Sequence, residues 1–157
     1  MSALHLPTLV LGSDHAGYPL KAALAEALRA RDYPLIDVGA DDATTRVDYP
    51  DYAYRAAARI LAGEARFGVL VCGTGIGIST AANRFPHIRC ALAHDVTTAR
   101  LGREHNDANM IAFGARVIGA ETAQDALFAF LAAEFQGGRH LPRIAKLSAP
   151  PAMDRPA

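Results

Sequence analysis

Short apolar segments alternate along this chain with longer segments of helical period. The apolar segments are rich in Leu, Val and Ile and nearly continuous in apolarity, as expected of strands buried on both faces. They lie at residues 8–13, 34–38, 67–72, 89–93 and 109–114. The pattern therefore predicts five strands, most simply in one sheet.

The segments between the strands have the spacing of amphipathic helices. In PLKAALAEALRAR, Leu20, Leu24 and Leu28 fall on one stripe, and Pro19 opens the segment where a helix tolerates proline. Further helices are predicted over 51–62, from residue 76, over 96–104 and over 121–135. Because strands that alternate with helices form parallel sheets covered on both faces, we predict an α/β fold. Its form is a three-layer, doubly wound, Rossmann-like sheet of five parallel strands.

The length of 157 residues fits one compact domain. We assign residues 1–147 to this single domain, since no internal repeat or linker interrupts them. The remainder, 148–157, reads SAPPAMDRPA and is expected to be a flexible or loosely docked tail.

Three irregular segments follow predicted strands and are candidates for ligand binding. They are SDHAG after the first strand, the long GADDATTRVDYPDY after the second, and CGTGIG after the third. Doubly wound sheets bind ligands beyond the carboxyl ends of their strands. We therefore expect the SDHAG turn and the glycine loop to meet there.

The glycine loop places Cys72 at the end of a strand and glycines at alternate positions after it, followed by a helix start. Such a loop can converge N–H groups on an anion and would favour a thiolate. The alternative for Cys72 is an inert buried thiol, the expected state of Cys90. The G-x-G-x-x-G fingerprint of a dinucleotide site is not met, because Ile78 or Thr80 stands where its third glycine would be. Asp95 does follow about twenty residues after the glycines, where that fingerprint has an acidic residue.

Two further groups of polar residues are candidates for proton transfer or phosphate binding. Asp14 and His15 can do either, or Asp14 can merely cap a helix, with Ser13 as its competitor. His105 and Asn106 end the fourth helix, where a protonated histidine is favoured. Arginines that could bind phosphate, or lie on a solvated basic face, are Arg116, Arg139 and Arg143. If one continuous helix contained both Arg139 and Arg143, the two would share a face. If Pro142 instead lies in the first turn of the helix, Arg139 precedes the helix.

Composition narrows the class of protein. Sixteen basic and sixteen acidic residues leave no net charge, which argues against nucleic-acid or membrane-surface partners. No apolar run approaches the roughly 18 residues of a membrane span, and we expect no secretory signal. The two cysteines suggest no disulfide framework, and the six histidines have no metal-ligand spacing. We expect a cytoplasmic protein with no metal site.

Five motifs in order resemble those of type B ribose-5-phosphate isomerase, in the family that also holds allose- and galactose-phosphate isomerases. They are GSDHAG, DYPDYA, CGTGIGISTAANR, REHNDANMIAFGAR and GGRH-x-x-R, and the resemblance runs from residue 9 to about 147. It implies a cofactor-free interconversion of ribose 5-phosphate and ribulose 5-phosphate, a step of the pentose phosphate pathway. Some members use a glutamate base further along the glycine loop; GIGIST contains none, which indicates the cysteine-dependent branch.

The resemblance also implies roles for individual residues. Cys72 would be the base between C1 and C2, and His105 would open the furanose ring with Asp14 nearby. The loop that would hold the enediolate oxygen consists of Gly73, Thr74, Gly75, Ile76 and Gly77. Sugar hydroxyls and phosphate would be bound by Asp14, His15, Asn106, Arg116, Arg139 and Arg143.

The same resemblance implies a homodimer, or a dimer of dimers, with shared active sites. His105, Asn106 and Arg116 would reach the crevice from a second subunit rather than from their own. Two alternatives stay open. One is an isomerase of another aldose phosphate, such as allose 6-phosphate, galactose 6-phosphate or a tetrose phosphate; the other is a phosphate-binding module without turnover.

Overall fold

The computed structural model describes residues 6–154 and contains one parallel sheet in the order β2-β1-β3-β5-β4. Its strands are β1 (Leu9–Ser13), β2 (Leu35–Asp37), β3 (Phe67–Cys72), β4 (Cys90–Leu92) and β5 (Met110–Gly114). All five lie within the segments that the apolar pattern predicts. The predicted α/β fold with a five-stranded parallel sheet is therefore confirmed.

Helices cover both faces of the sheet. They are α1 (Tyr18–Arg29), α2 (Tyr49–Leu61), α3 (Ile76–Ala82), α4 (Val96–Asn106), α5 (Ala120–Ala132) and α6 (Leu141–Ser148), with a short 3-10 turn at Gly138–His140. Within residues 6–154, no helix is both long and apolar enough to cross a bilayer.

Two apolar layers sandwich the sheet. On one face, alternate residues of β1 pack against α1 and α5, with Leu11, Leu24 and Phe130 fully buried. On the other face, α2 and α3 contribute mostly small side chains, such as Ala53 and Ala56. Small residues let α2 lie close to the sheet. The core thus consists of two apolar layers, one on each face of the sheet.

The order of strands creates a crevice between β1 and β3. The connection from β1 runs through α1 on one face, and the connection from β3 runs through α3 on the other. Ligands of doubly wound folds bind at such a switch point. As predicted, the SDHAG turn and the glycine loop both begin here, because they follow β1 and β3, which are neighbours in the sheet.

The segment after α5 differs from the prediction. The helix ends at Ala132 rather than at residue 135, and the backbone is already extended at Ala133, before the glycine pair at 137 and 138. Pro142 lies in the first turn of α6, and Arg139 lies in the preceding 3-10 turn. Of the two alternatives, the structure has the one in which Pro142 opens the helix, so Arg139 and Arg143 do not share a helix face. A proline lacks an N–H and fixes φ, which suits the first turn.

The tail is only partly described. After Ser148, residues 149–154 have no regular secondary structure and are exposed. Residues 155–157 lie outside the described part of the chain.

Candidate active site

Cys72 ends β3 at the crevice, with 4% of its surface exposed. The backbone N–H of Gly75 donates to its Sγ at 3.1 Å. A hydrogen bond from an N–H stabilises negative charge on sulfur, and the start of α3 adds its positive end. The thiol therefore lies in surroundings suited to a nucleophile or base, as the sequence indicates.

Cys90 has different surroundings. It starts β4, is buried in the apolar layer under α3, and burial raises the pKa of its thiol well above the ordinary value. This agrees with the expected packing role.

Each glycine of the loop lets a neighbour come close. Gly75 has a φ of +76°, and a Cβ there would lie 2.9 Å from the carbonyl carbon of Phe113. A Cβ at Gly77 would lie 2.5 Å from the ring of Tyr49, and one at Gly73 would lie 3.0 Å from the guanidinium of Arg116. Any side chain at Gly75 or Gly77 would displace its neighbour, so the loop is shaped by its glycines.

Tyr49 was not singled out from the sequence as a site residue, although it belongs to the DYPDYA motif. It starts α2, is 40% exposed and lies directly against Gly77. Nothing in the local pattern distinguishes it from the other tyrosines, because its closeness to the loop depends on the course of residues 38–48.

The SDHAG turn packs onto the end of β3. A Cβ at Gly17 would lie 2.3 Å from the carbonyl oxygen of Val71, which explains the glycine. Asp14 is buried, and its Oδ1 accepts from the N–H of Gly17 at 2.8 Å. The N-cap residue of α1 is Gly17, so neither Asp14 nor Ser13 caps the helix, and Asp14 instead closes the turn that precedes it.

His15 links this turn to the long loop between β2 and α2. The N–H of Val47 donates to its Nδ1 at 3.2 Å. The neutral ring then carries its proton on Nε2, which stays available to donate to a ligand.

A buried lysine anchors the same loop from below. Lys21 is 1% exposed, and its Nζ donates to Asp37 Oδ1 at 2.6 Å and to the carbonyl of Ala40 at 2.7 Å. The sequence did not reveal this role, since Lys21 looks like a polar residue beside the apolar stripe of α1.

Arg116 lies in the crevice of its own chain. It follows β5, and its guanidinium contacts Gly73 of the glycine loop. Arg116 can reach this crevice from its own chain because β5 pairs with β3 in parallel and both strands end at the same edge; its arrival from a second subunit stays a prediction.

His105 and Asn106 lie at the opposite edge of the sheet. The helix α4 leaves the carboxyl end of β4 and returns to the amino end of β5, so its last residues are at the amino edge. Arg139 and Arg143 follow α5, which also ends at this edge. Arg143 Nη1 donates to the carbonyl of Arg139 at 2.8 Å.

A second histidine completes this group. The rings of His105 and His140 are stacked, with centroids 4.5 Å apart and planes 16° apart. Burial lowers the pKa of His140, and the neighbouring charges of His105, Arg139 and Arg143 lower it further. His140 was not named as a candidate from the sequence, because only the fold brings it to His105.

The predicted site residues thus form two groups in one chain. The carboxyl-edge group consists of Asp14, His15, Cys72, Gly73, Thr74, Gly75, Ile76, Gly77 and Arg116. The amino-edge group consists of His105, Asn106, Arg139 and Arg143. In residues 6–154, no three His, Cys, Asp or Glu side chains converge as metal ligands would.

Comparison with known proteins identifies relatives along nearly the whole chain. It is 42% identical to ribose-5-phosphate isomerase B of Escherichia coli over 141 residues, covering 90% of this chain and 94% of that one. It is 39% identical to D-erythrulose-4-phosphate isomerase of Pectobacterium atrosepticum over 140 residues, covering 89% and 92%. The crystal structure of a ribose 5-phosphate isomerase from Thermotoga maritima matches with a TM-score of 0.90 and 43% identity, covering 92% and 99%.

The family model described as Ribose/Galactose Isomerase matches residues 9–147, which include both groups of site residues. The chain therefore belongs to the Ribose/Galactose Isomerase family and is a sugar phosphate isomerase.

Proposed function

We propose that this enzyme interconverts ribose 5-phosphate and ribulose 5-phosphate through a cis-enediolate. In the open-chain aldose, the Cys72 thiolate removes the proton from C2, and the electron pair moves to give an enediolate with charge on O1. The thiol then returns the proton to C1 while the O2 proton passes to O1, which leaves the ketose. No redox partner is consumed, since the substrate is oxidised at C2 and reduced at C1.

The observation that carries this proposal is the position of Cys72. Its sulfur accepts the N–H of Gly75 at the carboxyl end of β3. The loop that starts there has glycines where neighbouring residues leave no room for a side chain. A base near neutral pH has to be anionic and fixed, and a thiolate held by a backbone N–H meets both needs.

The same loop suits the oxygen that becomes charged. The backbone N–H groups of Gly75 and Ile76 already donate to Cys72 Sγ and Thr74 Oγ1. The other backbone N–H groups of this loop, together with the Thr74 hydroxyl, would bind the enediolate oxygen. Each preorganised donor of this kind is worth about 2.7 to 4 kcal/mol in the transition state. This contribution requires a rigid loop, which the close contacts of Gly75 and Gly77 provide.

Ring opening needs a separate acid and base, because ribose 5-phosphate is mostly a furanose in water. We assign proton donation to the ring oxygen to His105, with Asp14 near the anomeric hydroxyl. Asp14, His15, Asn106, Arg116, Arg139 and Arg143 would hold the sugar hydroxyls and the phosphate, for which guanidinium groups are suited.

These assignments require two copies of the chain, as a homodimer or a dimer of dimers. Cys72 and His105 lie at opposite edges of one sheet, so one subunit would supply its carboxyl-edge group and the other its amino-edge group. Exposed apolar side chains near both groups support such an interface. They include Ile76 and Val96 at the carboxyl edge and Leu141 and Leu147 on α6, which are 45–59% exposed.

The second candidate substrate is a tetrose phosphate. It is favoured by the likeness to the enzyme named D-erythrulose-4-phosphate isomerase, which matches over nearly the same span as the ribose-5-phosphate isomerase. Discrimination between substrates that differ by one carbon is worth only about 1 to 3 kcal/mol, so a few side chains can change it.

The test is a comparison of kcat/KM for four-, five- and six-carbon aldose phosphates with the purified enzyme. We expect the highest value for ribose 5-phosphate and none for the Cys72→Ala variant, which controls for contaminating isomerases. A higher value for a tetrose or hexose phosphate would contradict the substrate assignment. Binding of sugar phosphates without turnover of any would instead indicate a non-catalytic module.

A further inference from the structure

Asp107 follows directly after His105 and Asn106, in a strained conformation. Its φ and ψ are 45° and 43°, which is the left-handed region, and it ends α4 as the C-cap residue. Glycine is the usual residue there, and another residue persists only when its surroundings hold it. Aspartate adopts this region more readily than most residues because its short side chain can form hydrogen bonds, so the partners of this carboxylate matter.

Both carboxylate oxygens of Asp107 are bound by arginines from different elements. Arg103 Nη1 donates to Oδ1 at 2.7 Å, and Arg89 Nη2 donates to Oδ2 at 3.1 Å. Arg103 is 6% exposed and lies over the rings of Phe67 and Phe130, at 5.0 and 5.8 Å from their centroids. We call Asp107, Arg89 and Arg103 the arginine clamp.

The clamp also binds the carbonyls of the last residue of α4 and of the two residues that follow it. Arg89 Nε donates to the carbonyl oxygens of Asn106 and Asp107, at 3.0 and 2.9 Å. Arg103 Nη1 donates to the carbonyl of Ala108 at 2.8 Å. The final carbonyls of a helix have no partner within the helix, so these bonds fix a turn that would otherwise fray.

Arg89 is itself held against the sheet. Its N–H donates to Asn109 Oδ1 at 2.9 Å, and its carbonyl accepts the N–H of Asn109 at 3.0 Å. The end of α4 is thus fixed to the amino ends of β4 and β5, and the backbone of His105 and Asn106 is tied to the core of the domain.

We propose that Asp107 is a positioning residue whose clamp holds His105 in the orientation that the neighbouring subunit's active site requires. The inference rests on the proposed role of His105 in ring opening. Asp107 itself contacts no substrate. Its effect comes through the helix end, because a displacement of about 1 Å at a catalytic group costs on the order of 100-fold in rate.

The test is a double-mutant cycle between Asp107→Asn and His105→Ala. Asparagine keeps the size of the side chain and tolerates the left-handed conformation, so the change removes mainly the charge. We expect Asp107→Asn to lower kcat/KM for ribose 5-phosphate by about 10- to 100-fold. In the His105→Ala background the same change should cost less than about twofold.

The residual rate of His105→Ala is measurable because a small fraction of ribose 5-phosphate is open-chain in solution. If Asp107→Asn does not fold, Arg89→Met replaces it in the cycle. We expect Arg89→Met to lower kcat/KM in the wild-type background and to have little effect in the His105→Ala background. The matched control is Glu64→Gln, which removes one carboxylate from the exposed Arg59–Glu64 pair and should keep full activity.

A second readout does not depend on turnover. Hydrogen exchange followed by mass spectrometry should show faster exchange at residues 104–109 in Asp107→Asn, and no change there in Glu64→Gln. Unchanged exchange, full activity of Asp107→Asn, or equal losses in both backgrounds would overturn the clamp proposal. If His105→Ala keeps activity near wild type, the ring-opening role fails, and the catalytic purpose of the clamp fails with it.

Discussion

At the scale of single residues, the proposed chemistry depends on one thiol. Cys72 and Cys90 both lie on strands and both are buried, yet only Cys72 is next to a backbone N–H that points at its sulfur. The apolar surroundings of Cys90 favour the neutral thiol. Position along the strand therefore separates a candidate base from a packing residue.

Replacement of Cys72 by serine should keep the fold and nearly abolish turnover. Serine fills the same space, but its hydroxyl is a far weaker acid and supplies no comparable anionic base near neutral pH. We expect kcat to fall at least about 1,000-fold, the upper part of the range for loss of general base catalysis, with an unchanged circular dichroism spectrum. Cys90→Ser is the control, and it should reduce stability rather than kcat.

Turnover of Cys72→Ser within about tenfold of wild type would remove the thiol from the base role. The proton would then have to be transferred by another group in the crevice.

At the scale of elements, the long segment between β2 and α2 is fixed by a residue of another element. Lys21 of α1 reaches Asp37 and Ala40, and Asp37 also accepts the N–H of Gly39 at 2.9 Å. The far end of the segment meets His15 through Val47. The two ends of this loop are held by α1 and the SDHAG turn, while Asp42 fixes its middle by accepting from the backbone N–H groups of Thr44 and Thr45.

Replacement of Lys21 by methionine should therefore destabilise the protein. The change removes two hydrogen bonds of a buried ammonium, and the free energy of unfolding should fall by about 1.5 to 3 kcal/mol. The partially exposed Asp37 can be hydrated, which limits the loss. Urea unfolding at equal protein concentration measures it.

The chain has one other lysine, and it provides the matched control. Lys146 is exposed on α6, so Lys146→Met should change the free energy of unfolding by less than about 0.5 kcal/mol. Equal effects of both changes would show that the contacts of Lys21 add no stability.

At the scale of the whole molecule, the two groups of site residues lie at opposite edges of the sheet. Each helix that follows a parallel strand returns to the amino edge, so residues at a strand end and residues at a helix end are separated by the length of the sheet. Closed two-fold association can bring the two groups together reciprocally, with two composite sites in each dimer.

Mixing of two impaired variants, one lacking Cys72 and the other lacking His105, tests this arrangement. Cys72→Ala and His105→Ala subunits should form mixed dimers in which one site has both residues intact and the other has neither. After subunit exchange of equal amounts, random pairing should restore about one quarter of wild-type activity. Each variant incubated alone is the control.

Mixed dimers verified by mass spectrometry that are no more active than their parents would contradict the shared site. Cys72 and His105 would then belong to separate functions of the chain.

The amino-acid pattern alone predicted the fold and every member of the carboxyl-edge group except Arg116. Continuous apolar strands differ in pattern from amphipathic helices, so all five strands could be predicted, and no predicted strand end is wrong by more than one residue. Asp14, His15, Cys72 and the glycine loop follow strands directly, and parallel strands end at one edge. Local pattern therefore sufficed to place them together.

Tertiary structure decided the features that depend on contacts between distant segments. The stacking of His140 on His105, the anchoring by Lys21, the contact of Tyr49 with Gly77 and the clamp around Asp107 join residues 16 to 35 positions apart or in different elements. The proximity of Arg116 to Gly73 depends on tertiary structure for the same reason, since it follows from the pairing of β3 with β5. Sequence periodicity reports which face of an element is buried, whereas these contacts depend on which element lies opposite, and only packing of the whole chain fixes that.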